Sequence, residues 1–311
     1  MKHNVRYRVE YFGFRIFIFF IKISPLFLKK CFRLFALGIF SFAGKRYKTL
    51  VDSNLKIAFP DLSDEDRRSL KKKIFRHFST IFIDIIYLFG GKDPDKVVGN
   101  LKVEGIDNIK NVLKKGKGAI LFSAHFGNWE LIPFILFREL GFRVSSIARR
   151  MDNPLTEEIV KKFRAFMGSD MIYKEGSLRK IIRVTEDNGL IYLLIDQNTI
   201  TREGVPVSFF DREVIAVTTV SQLYLKKKIP IIPLFITYQK DSILLKIGEE
   251  ISFKKSSDHD TDLKNLTQKC LGLVENKIRE FPDHWFWFHD RWRPRAGQKK
   301  RQEDESKQQK K

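Results

Sequence analysis

Residues 119–130 read Ala-Ile-Leu-Phe-Ser-Ala-His-Phe-Gly-Asn-Trp-Glu, and this stretch decides the fold that we expect. Its apolar start has the composition of a buried strand, and a glycine-containing turn follows the histidine. From about Asn128 to Leu140 the pattern is helical. We therefore predict that His125 lies at the carboxyl end of a strand and that Glu130 lies about one turn into the next helix.

Alternating strand and helix patterns continue after this stretch. We predict strands at 144–148, 171–173, 190–195, 231–238 and 243–247, and helices at 153–167, 177–187, 217–227 and 263–280, with a loop before 217. Successive strand–helix units indicate an α/β fold with a mainly parallel sheet flanked by helices. The active site of such a sheet is expected outside the carboxyl ends of its strands, where His125 and Asp196 both fall.

The first 48 residues are basic and rich in phenylalanine. Residues 1–50 hold eleven lysines and arginines against the single acid Glu10. Their apolar runs are each shorter than the roughly 18 to 20 residues that a spanning helix needs. We predict membrane-anchoring helices that lie in the interface, with aromatic side chains in the acyl boundary and basic ones on anionic headgroups. Amphipathic helices packed on the domain and a tilted span are the alternatives.

Three parts follow from this organisation. Residues 1–48 form the predicted membrane-anchoring layer, residues 49–295 the α/β domain, and residues 296–311 a charged, low-complexity tail that we expect to be disordered. Ser63 is the predicted N-cap of a long helix that ends near Leu88. The helical layer thus precedes the α/β core.

The net charge of +21 predicts an acidic partner, which could be nucleic acid, an anionic membrane or a phosphorylated substrate. The 29 phenylalanines favour a membrane over nucleic acid. The two cysteines, Cys31 and Cys270, are far apart and have no CxxC or histidine-rich neighbourhood. Neither a disulfide framework nor a zinc site is therefore indicated, and we expect no metal.

The spacing of His125 and Glu130 suits general-base chemistry. A carboxylate that reaches back to the imidazole would fix its tautomer while the other ring nitrogen removes a proton from a substrate hydroxyl. Gly127, Asn128 and the helix N-terminus offer donors for a developing oxyanion. The alternative is that His125 is a structural turn residue and Glu130 a solvated helix acid, because this spacing arises easily by chance.

Further stretches carry a family resemblance. They are Asn54–Pro60, Arg149–Pro154, Asp196–Gln197, Gly204–Phe210 with Ala216–Thr219, Ile229–Pro233, and Trp287 to Pro294. Together with the stretch from Ser123 to Glu130, which resembles the HX4D/E motif of the lysophospholipid acyltransferase superfamily, they make the chain similar to the late lipid A acyltransferases. This branch adds secondary fatty acyl chains to the lipopolysaccharide anchor. The resemblance runs from about residue 6 to 297.

The resemblance implies a glycerol-3-phosphate acyltransferase-like fold and an O-acyltransferase that needs no cofactor. It implies that His125 is the general base, that Glu130 orients it, and that the acceptor hydroxyl attacks directly, without a covalent acyl-enzyme. Substrate binding is predicted for Arg164, Asp196, Arg149, Gln197 and Asn128. A loop-capping role is the alternative for Asp196. The aromatic residues 285–288 are either an acyl-channel lining or plain core.

The partners implied are an acyl carrier protein as donor, an anionic glycolipid such as a lipid A precursor as acceptor, and a membrane surface, with no nucleic acid. The location implied is the cytoplasmic face of the inner membrane. Arg150 and Asp290 depart from the family pattern, and the Gly-Asn-Trp-Glu form occurs in relatives that acylate mannosylated phosphatidylinositol. Acylation of that lipid or of another phospholipid is therefore an alternative. A non-catalytic protein that binds membranes or nucleic acid through its charge is another.

Overall fold

The computed structural model describes residues 5–42, 45–174, 176–199, 204–240 and 242–292. The predicted tail at 296–311 lies outside the described residues. The described α-helices are α1 (Val5–Ile23), α2 (Lys29–Phe42), α3 (Lys45–Ala58), α4 (Asp64–Phe89), α5 (Pro94–Val98), α6 (Ile106–Leu113), α7 (Ile132–Leu140), α8 (Pro154–Phe166), α9 (Ser177–Glu186), α10 (Thr219–Lys227) and α11 (His259–Glu280). The described strands are β1 (Leu101–Glu104), β2 (Ala119–Ser123), β3 (Val144–Ala148), β4 (Ser169–Tyr173), β5 (Leu190–Leu194), β6 (Gly204–Phe209), β7 (Arg212–Val217), β8 (Ile231–Tyr238) and β9 (Ile243–Ile247).

Among the described strands, seven form one sheet in the order β1-β9-β8-β2-β5-β3-β4. Neighbouring strands are parallel except for β8 and β9, which are antiparallel. The apolar sequence of β2 places it at the centre, where all of its residues are buried. The prediction of an α/β fold with a mainly parallel sheet flanked by helices is confirmed.

The register between β2 and β5 positions the candidate site. Ser123, the last residue of β2, pairs with Leu194, the last residue of β5. His125 and Asp196 each follow two residues later, so the two side chains emerge together at the carboxyl edge of the sheet. This edge is where the alternating pattern predicted the active site.

The N-terminal layer is helical, as predicted. Within the described residues, no single helix is long and apolar enough to cross a membrane. A helix pair, Val5–Ile23 with Leu26–Gly38, passes the same test of length and composition when taken together, and it is bent by 109° at the break. The pair exposes a series of large apolar side chains, namely Phe12, Ile16, Phe19, Phe20, Ile23, Phe27, Leu34 and Phe35. We call this series the apolar face.

Two parts of the fold differ from expectation. The segment before α10, which we expected to be a loop, contains the antiparallel hairpin of β6 and β7. Val217, which we expected to begin a helix, is the last residue of β7, and α10 begins at Thr219. The hairpin packs against α11 and buries Val207, Phe209, Val214 and Ala216 in the core.

Candidate active site

His125 lines a cavity of about 790 Å³. The segment after α11 holds its turn in place, because the Phe286 amide donates to the His125 carbonyl at 2.9 Å and the Gly127 amide donates to the His284 carbonyl at 2.8 Å. The imidazole is about one-fifth exposed. Its edge-on neighbour is Trp129, with ring centroids 5.1 Å apart. The ring is thus fixed on one side and open to the cavity on the other.

Asp196 holds one nitrogen of this ring. Its Oδ1 lies 2.9 Å from Nδ1 of His125 and also accepts the His125 backbone N–H at 3.1 Å. Its Oδ2 accepts the indole N–H of Trp285 at 2.8 Å. Burial acts to raise the pKa of Asp196, but the charge and hydrogen bonds of His125 and Trp285 outweigh burial and hold the pKa below its ordinary value. Asp196 is therefore a carboxylate, and Nδ1 carries the donated proton.

The second ring nitrogen of His125 faces the cavity. Its partner is the side-chain amide nitrogen of Gln197, 3.2 Å from Nε2. With the proton on Nδ1, the Nε2 lone pair of the neutral ring is free to accept, first from this amide and then from a substrate hydroxyl that replaces it. An oriented imidazole with an exposed lone pair is the arrangement of a general base.

The prediction that Glu130 orients His125 is wrong in this structure. Trp129–Leu131 form a 3-10 turn, and α7 begins only at Ile132. This turn directs the Glu130 carboxylate toward α8, where Arg164 donates to both of its oxygens, at 2.8 and 3.3 Å. Burial acts to lower the pKa of Arg164, but Glu130 outweighs it and the pKa is raised, so the pair is an ion pair. Both residues line the cavity beside His125.

The other predicted residues lie close to the cavity but in different roles. Arg149 lines it, and its exposed guanidinium pairs with Asp152 at 3.2 Å. Asn128 is buried, and its amide donates to the Tyr238 hydroxyl at 3.1 Å rather than toward the cavity. The Gly127 amide already donates to a backbone carbonyl. The Gly127 amide and the Asn128 side chain are therefore both engaged within the protein, and an oxyanion donor from the backbone of Asn128 or from the helix N-terminus stays a prediction.

The aromatic segment 285–288 divides between core and site. Trp285 and Trp287 are buried core residues, and Trp285 also supports Asp196. Phe286 lies beside the site, with its ring centroid 6.3 Å from that of His125 and 5.8 Å from that of Trp129. The apolar wall of the cavity comes from other elements, with Ile147, Val160, Met167, Ile181 and Leu193 among its residues.

A chain of hydrogen bonds behind the site was not predicted from the sequence. The Tyr238 hydroxyl accepts from Asn128 and donates to Asp84 at 2.9 Å, and Asp84 pairs with Lys29 at 2.7 Å. It connects the turn after His125 to α4 and α2. Asp84 is a single acid within the apolar run Ile81–Leu88, and a buried acid in such a run indicates a paired charge.

Comparisons with known proteins match nearly the whole chain. The family model for bacterial lipid A biosynthesis acyltransferases matches residues 2–294. The lipid A biosynthesis lauroyltransferase of Escherichia coli K12 is 23% identical over 261 residues, which cover 81% of this chain and 80% of that protein. A lipid A biosynthesis acyltransferase of Haemophilus influenzae is 26% identical over 271 residues, covering 82% and 80%.

Two further matches lie outside lipid A biosynthesis. A phosphatidylinositol mannoside acyltransferase of Mycolicibacterium smegmatis is 22% identical over 204 residues, which cover 64% of this chain and 65% of that protein. The crystal structure of a 1-acyl-sn-glycerophosphate acyltransferase from Thermotoga maritima matches with a TM-score of 0.39 and 15% identity, covering 83% of this chain and 99% of that one.

Proposed function

The chain belongs to the bacterial lipid A biosynthesis acyltransferase family, and we propose that it moves a fatty acyl chain from an acyl thioester to a hydroxyl of an anionic glycolipid. The observation that carries this proposal is that His125 lines the cavity and that its Nδ1 is held by the buried carboxylate of Asp196. Membership of the family supports a lipid A precursor as the acceptor.

In the proposed reaction, Nε2 of His125 removes the proton of the acceptor hydroxyl while the hydroxyl oxygen attacks the thioester carbonyl carbon. The Asp196 carboxylate stabilises the imidazolium that forms. As the tetrahedral intermediate collapses, the carbon–sulfur bond breaks and the imidazolium returns the proton to the departing thiolate. The ring partners, Asp196 and Gln197, are not the usual acyl-accepting nucleophiles, which supports direct transfer without a covalent acyl-enzyme.

Glu130 and Arg164 have a separate role in this proposal. The two-point contact fixes the guanidinium plane of Arg164 at the cavity wall. A fixed guanidinium is a permanently charged donor for a polarised carbonyl or for a phosphate of the acceptor. We assign Arg164 to substrate binding and Glu130 to the positioning of Arg164. The dyad of the mechanism is then His125 with Asp196.

The apolar lining of the cavity supports an acyl substrate. Ile147, Val160 and Met167 lie on its wall, and their side chains suit the hydrocarbon of the acyl chain. The charge of +21 suits both an acidic acyl carrier protein as donor and a phosphorylated lipid as acceptor. The apolar face supports a position at a membrane surface. Membership of the family suits the cytoplasmic face of the inner membrane as that surface.

A second acceptor is favoured by one comparison. The similarity to a phosphatidylinositol mannoside acyltransferase extends over 64% of the chain. That relative acts, by its name, on a mannosylated phosphatidylinositol. The same chemistry at His125 would serve such a sugar hydroxyl or the hydroxyl of another phospholipid, so the acceptor is decided by experiment.

The test is transfer by purified full-length protein from acyl carrier protein thioester to a lipid A precursor or to phosphatidylinositol mannoside, with products identified by mass spectrometry. We expect His125→Ala to lower kcat by about 10²- to 10⁴-fold, the usual contribution of a general base. Binding of the variant to anionic vesicles should be unchanged, because His125 is not on the apolar face.

His259→Ala is the matched control, since His259 is the exposed first residue of α11. It should transfer at the wild-type rate. Full activity of His125→Ala would overturn the mechanism. Transfer to one acceptor only, together with lipid mass spectrometry of a deletion strain, would identify the substrate.

A further inference from the structure

A second cavity, of about 520 Å³, lies between α2, α4 and the carboxyl end of β8. Its lining is rich in cations, namely Lys29, Arg33, Lys73, Arg76 and Lys240. Among the described residues, it shares no lining residue with the cavity of His125. We call it the basic cavity. Its chemistry is not used by the acyl transfer proposed above.

The two carboxylates of the basic cavity are already matched. Asp84 pairs with Lys29 at 2.7 Å and accepts the Tyr238 hydroxyl at 2.9 Å. Asp283 accepts from Nδ1 of His284 at 3.0 Å. The lining therefore keeps an excess of positive charge, which comes from residues of α2, α4 and the β8–β9 connection. Such an excess favours an anionic ligand.

Arg33 lies on a different side of α2 from the apolar face and lines the basic cavity. Its neighbours Leu34 and Phe35 are 70% and 69% exposed on the apolar face, whereas Arg33 is half-buried. Its Nε is buried and has no hydrogen-bond partner among the described residues. An unpaired buried guanidinium nitrogen is costly, so an acceptor from a ligand would stabilise it.

His77 offers a second unpaired nitrogen. The side chain is more than nine-tenths buried and lines the basic cavity, and Nε2 has no partner within the described part of the chain. Burial and the neighbouring His284 lower the pKa of His77, so the ring is neutral. Two side chains that line this cavity, Arg33 and His77, thus each hold a buried nitrogen without a hydrogen-bond partner among the described residues.

A metal ion is the competing ligand. The ligand atoms of His77, Asp283 and His284 lie within 4.8 Å of one another, which is a spacing that a metal could use. However, Nε2 of His284 accepts the Tyr238 backbone N–H at 3.0 Å, so its proton is on Nδ1 and is donated to Asp283. Both nitrogens of His284 are thereby used, and the surrounding cations repel another cation.

We propose that the basic cavity binds a phosphate group. Arg33 and Arg76 donate to the phosphate oxygens, and Lys73 and Lys240 add charge. Guanidinium groups match the geometry of phosphate oxygens, and hydrogen bonds between charged groups are stronger than neutral ones. The site goes beyond the acyl transfer and does not depend on it. Its phosphate comes either from a lipid headgroup or from a small soluble phosphate.

The test is calorimetric titration of the full-length protein in detergent with inorganic phosphate and with dihexanoyl phosphatidic acid, a soluble phosphomonoester lipid. We expect Arg33→Gln and Arg76→Gln each to weaken binding by about tenfold, since one charged hydrogen bond has about that effect. Arg76 is exposed, so its variant tests the site even where Arg33→Gln impairs folding. Lys72→Gln is the matched control, because Lys72 is an exposed cation of the same helix that does not line the cavity.

The possible results distinguish a lipid headgroup from a small soluble phosphate, and they distinguish both from a metal ion. Tighter binding of the lipid than of inorganic phosphate assigns a headgroup, and equal binding assigns a small anion. Absence of binding at millimolar concentrations, or equal weakening by Lys72→Gln, overturns the proposal. Cobalt binding that His77→Gln abolishes overturns it in favour of a metal. His125→Ala should keep phosphate binding, so a failure of this site and a failure of the proposed reaction are distinguishable.

Discussion

Asp196 and Glu130 both lie near His125, but they differ in burial and in hydrogen-bond partners. Asp196 is buried and accepts three hydrogen bonds, two of them from His125 itself. Glu130 is about one-fifth exposed, and both of its oxygens are taken by Arg164. A buried carboxylate needs such donors to stay ionised, and it can then stabilise a positive charge on the imidazole. Asp196, which orients His125, is thus a buried carboxylate that three hydrogen bonds hold in place.

We predict that Asp196→Asn lowers kcat by about 10²- to 10⁴-fold, because an amide neither fixes the tautomer nor stabilises the imidazolium. The measurement is steady-state transfer by the purified protein. A second readout is proton NMR of histidine-labelled protein, in which Nδ1–H of His125 should give a downfield resonance that Asp196→Asn removes. His125→Ala identifies that resonance.

Glu130→Gln is the matched control for the same experiment. It also replaces a carboxylate by an amide beside His125, but its contact is with Arg164. We expect it to leave the downfield resonance in place and to raise KM through the loosened guanidinium. Loss of the resonance in Glu130→Gln and its retention in Asp196→Asn would restore the His125–Glu130 pair.

The turn between β2 and α7 determines where His125 points. Gly127 has a φ of 55°, in the left-handed region, and a Cβ added to it would lie 2.2 Å from the Ile236 carbonyl oxygen on β8. The turn is therefore pressed directly against the neighbouring strand, and only glycine fits. This contact, together with the hydrogen bond from the Gly127 amide to the His284 carbonyl, keeps the turn compact enough for His125 to reach Asp196.

We predict that Gly127→Ala lowers the free energy of unfolding by several kcal/mol and reduces transfer more than tenfold, since it adds a backbone clash to the cost of about 1–2 kcal/mol of a left-handed residue. Gly141→Ala is the matched control, because Gly141 has a φ of 79° and no atom within 4 Å of its added Cβ. Urea denaturation of both variants isolates the clash. Equal losses of stability would show that the contact with Ile236 relaxes.

The strands of the main sheet were predictable because their buried positions carry apolar side chains. The strands at 144–148, 231–238 and 243–247 have the predicted bounds. The β6–β7 hairpin was missed because its turn residues, Phe210 and Asp211, have φ values of 52° and 57° without the usual Asn-Gly signal. The buried alternation of Val207 and Phe209 was the available clue.

The sequence predicted which residues belong to the site better than it predicted their hydrogen-bond partners. His125 and Asp196 were both expected at carboxyl ends of strands, and the carboxyl ends of parallel strands share one edge. The partner of Glu130 depended on a 3-10 turn of three residues, which no periodicity reveals. The contact between Asp196 and Trp285 joins residues 89 positions apart, so it depends on the complete fold.

The whole molecule combines a charged surface with the apolar face, and the contributions of the two to membrane binding respond differently to salt. Attraction between the +21 charge and anionic lipids is screened by salt. Burial of aromatic side chains is not screened in this way. α1 also reaches the active-site domain directly, because the Asn153 amide at the start of α8 donates to the Tyr7 carbonyl and to Glu10, each at 3.0 Å. A membrane that holds α1 would therefore hold the wall of the cavity at its surface.

We predict that the double variant Phe19→Ser and Phe20→Ser weakens binding to anionic vesicles at least about tenfold in 1 M salt, because the two side chains are 58% and 60% exposed and each contributes roughly 1–2 kcal/mol on burial. Wild-type protein should remain bound in 1 M salt, about ten times the ionic strength that gives a 10 Å screening length. Co-sedimentation at low and high salt measures both. Leu178→Ser is the matched control, since Leu178 is 55% exposed on α9, outside the apolar face, and should leave binding unchanged. Complete release of the wild type by salt would mean that charge alone holds this protein at the membrane.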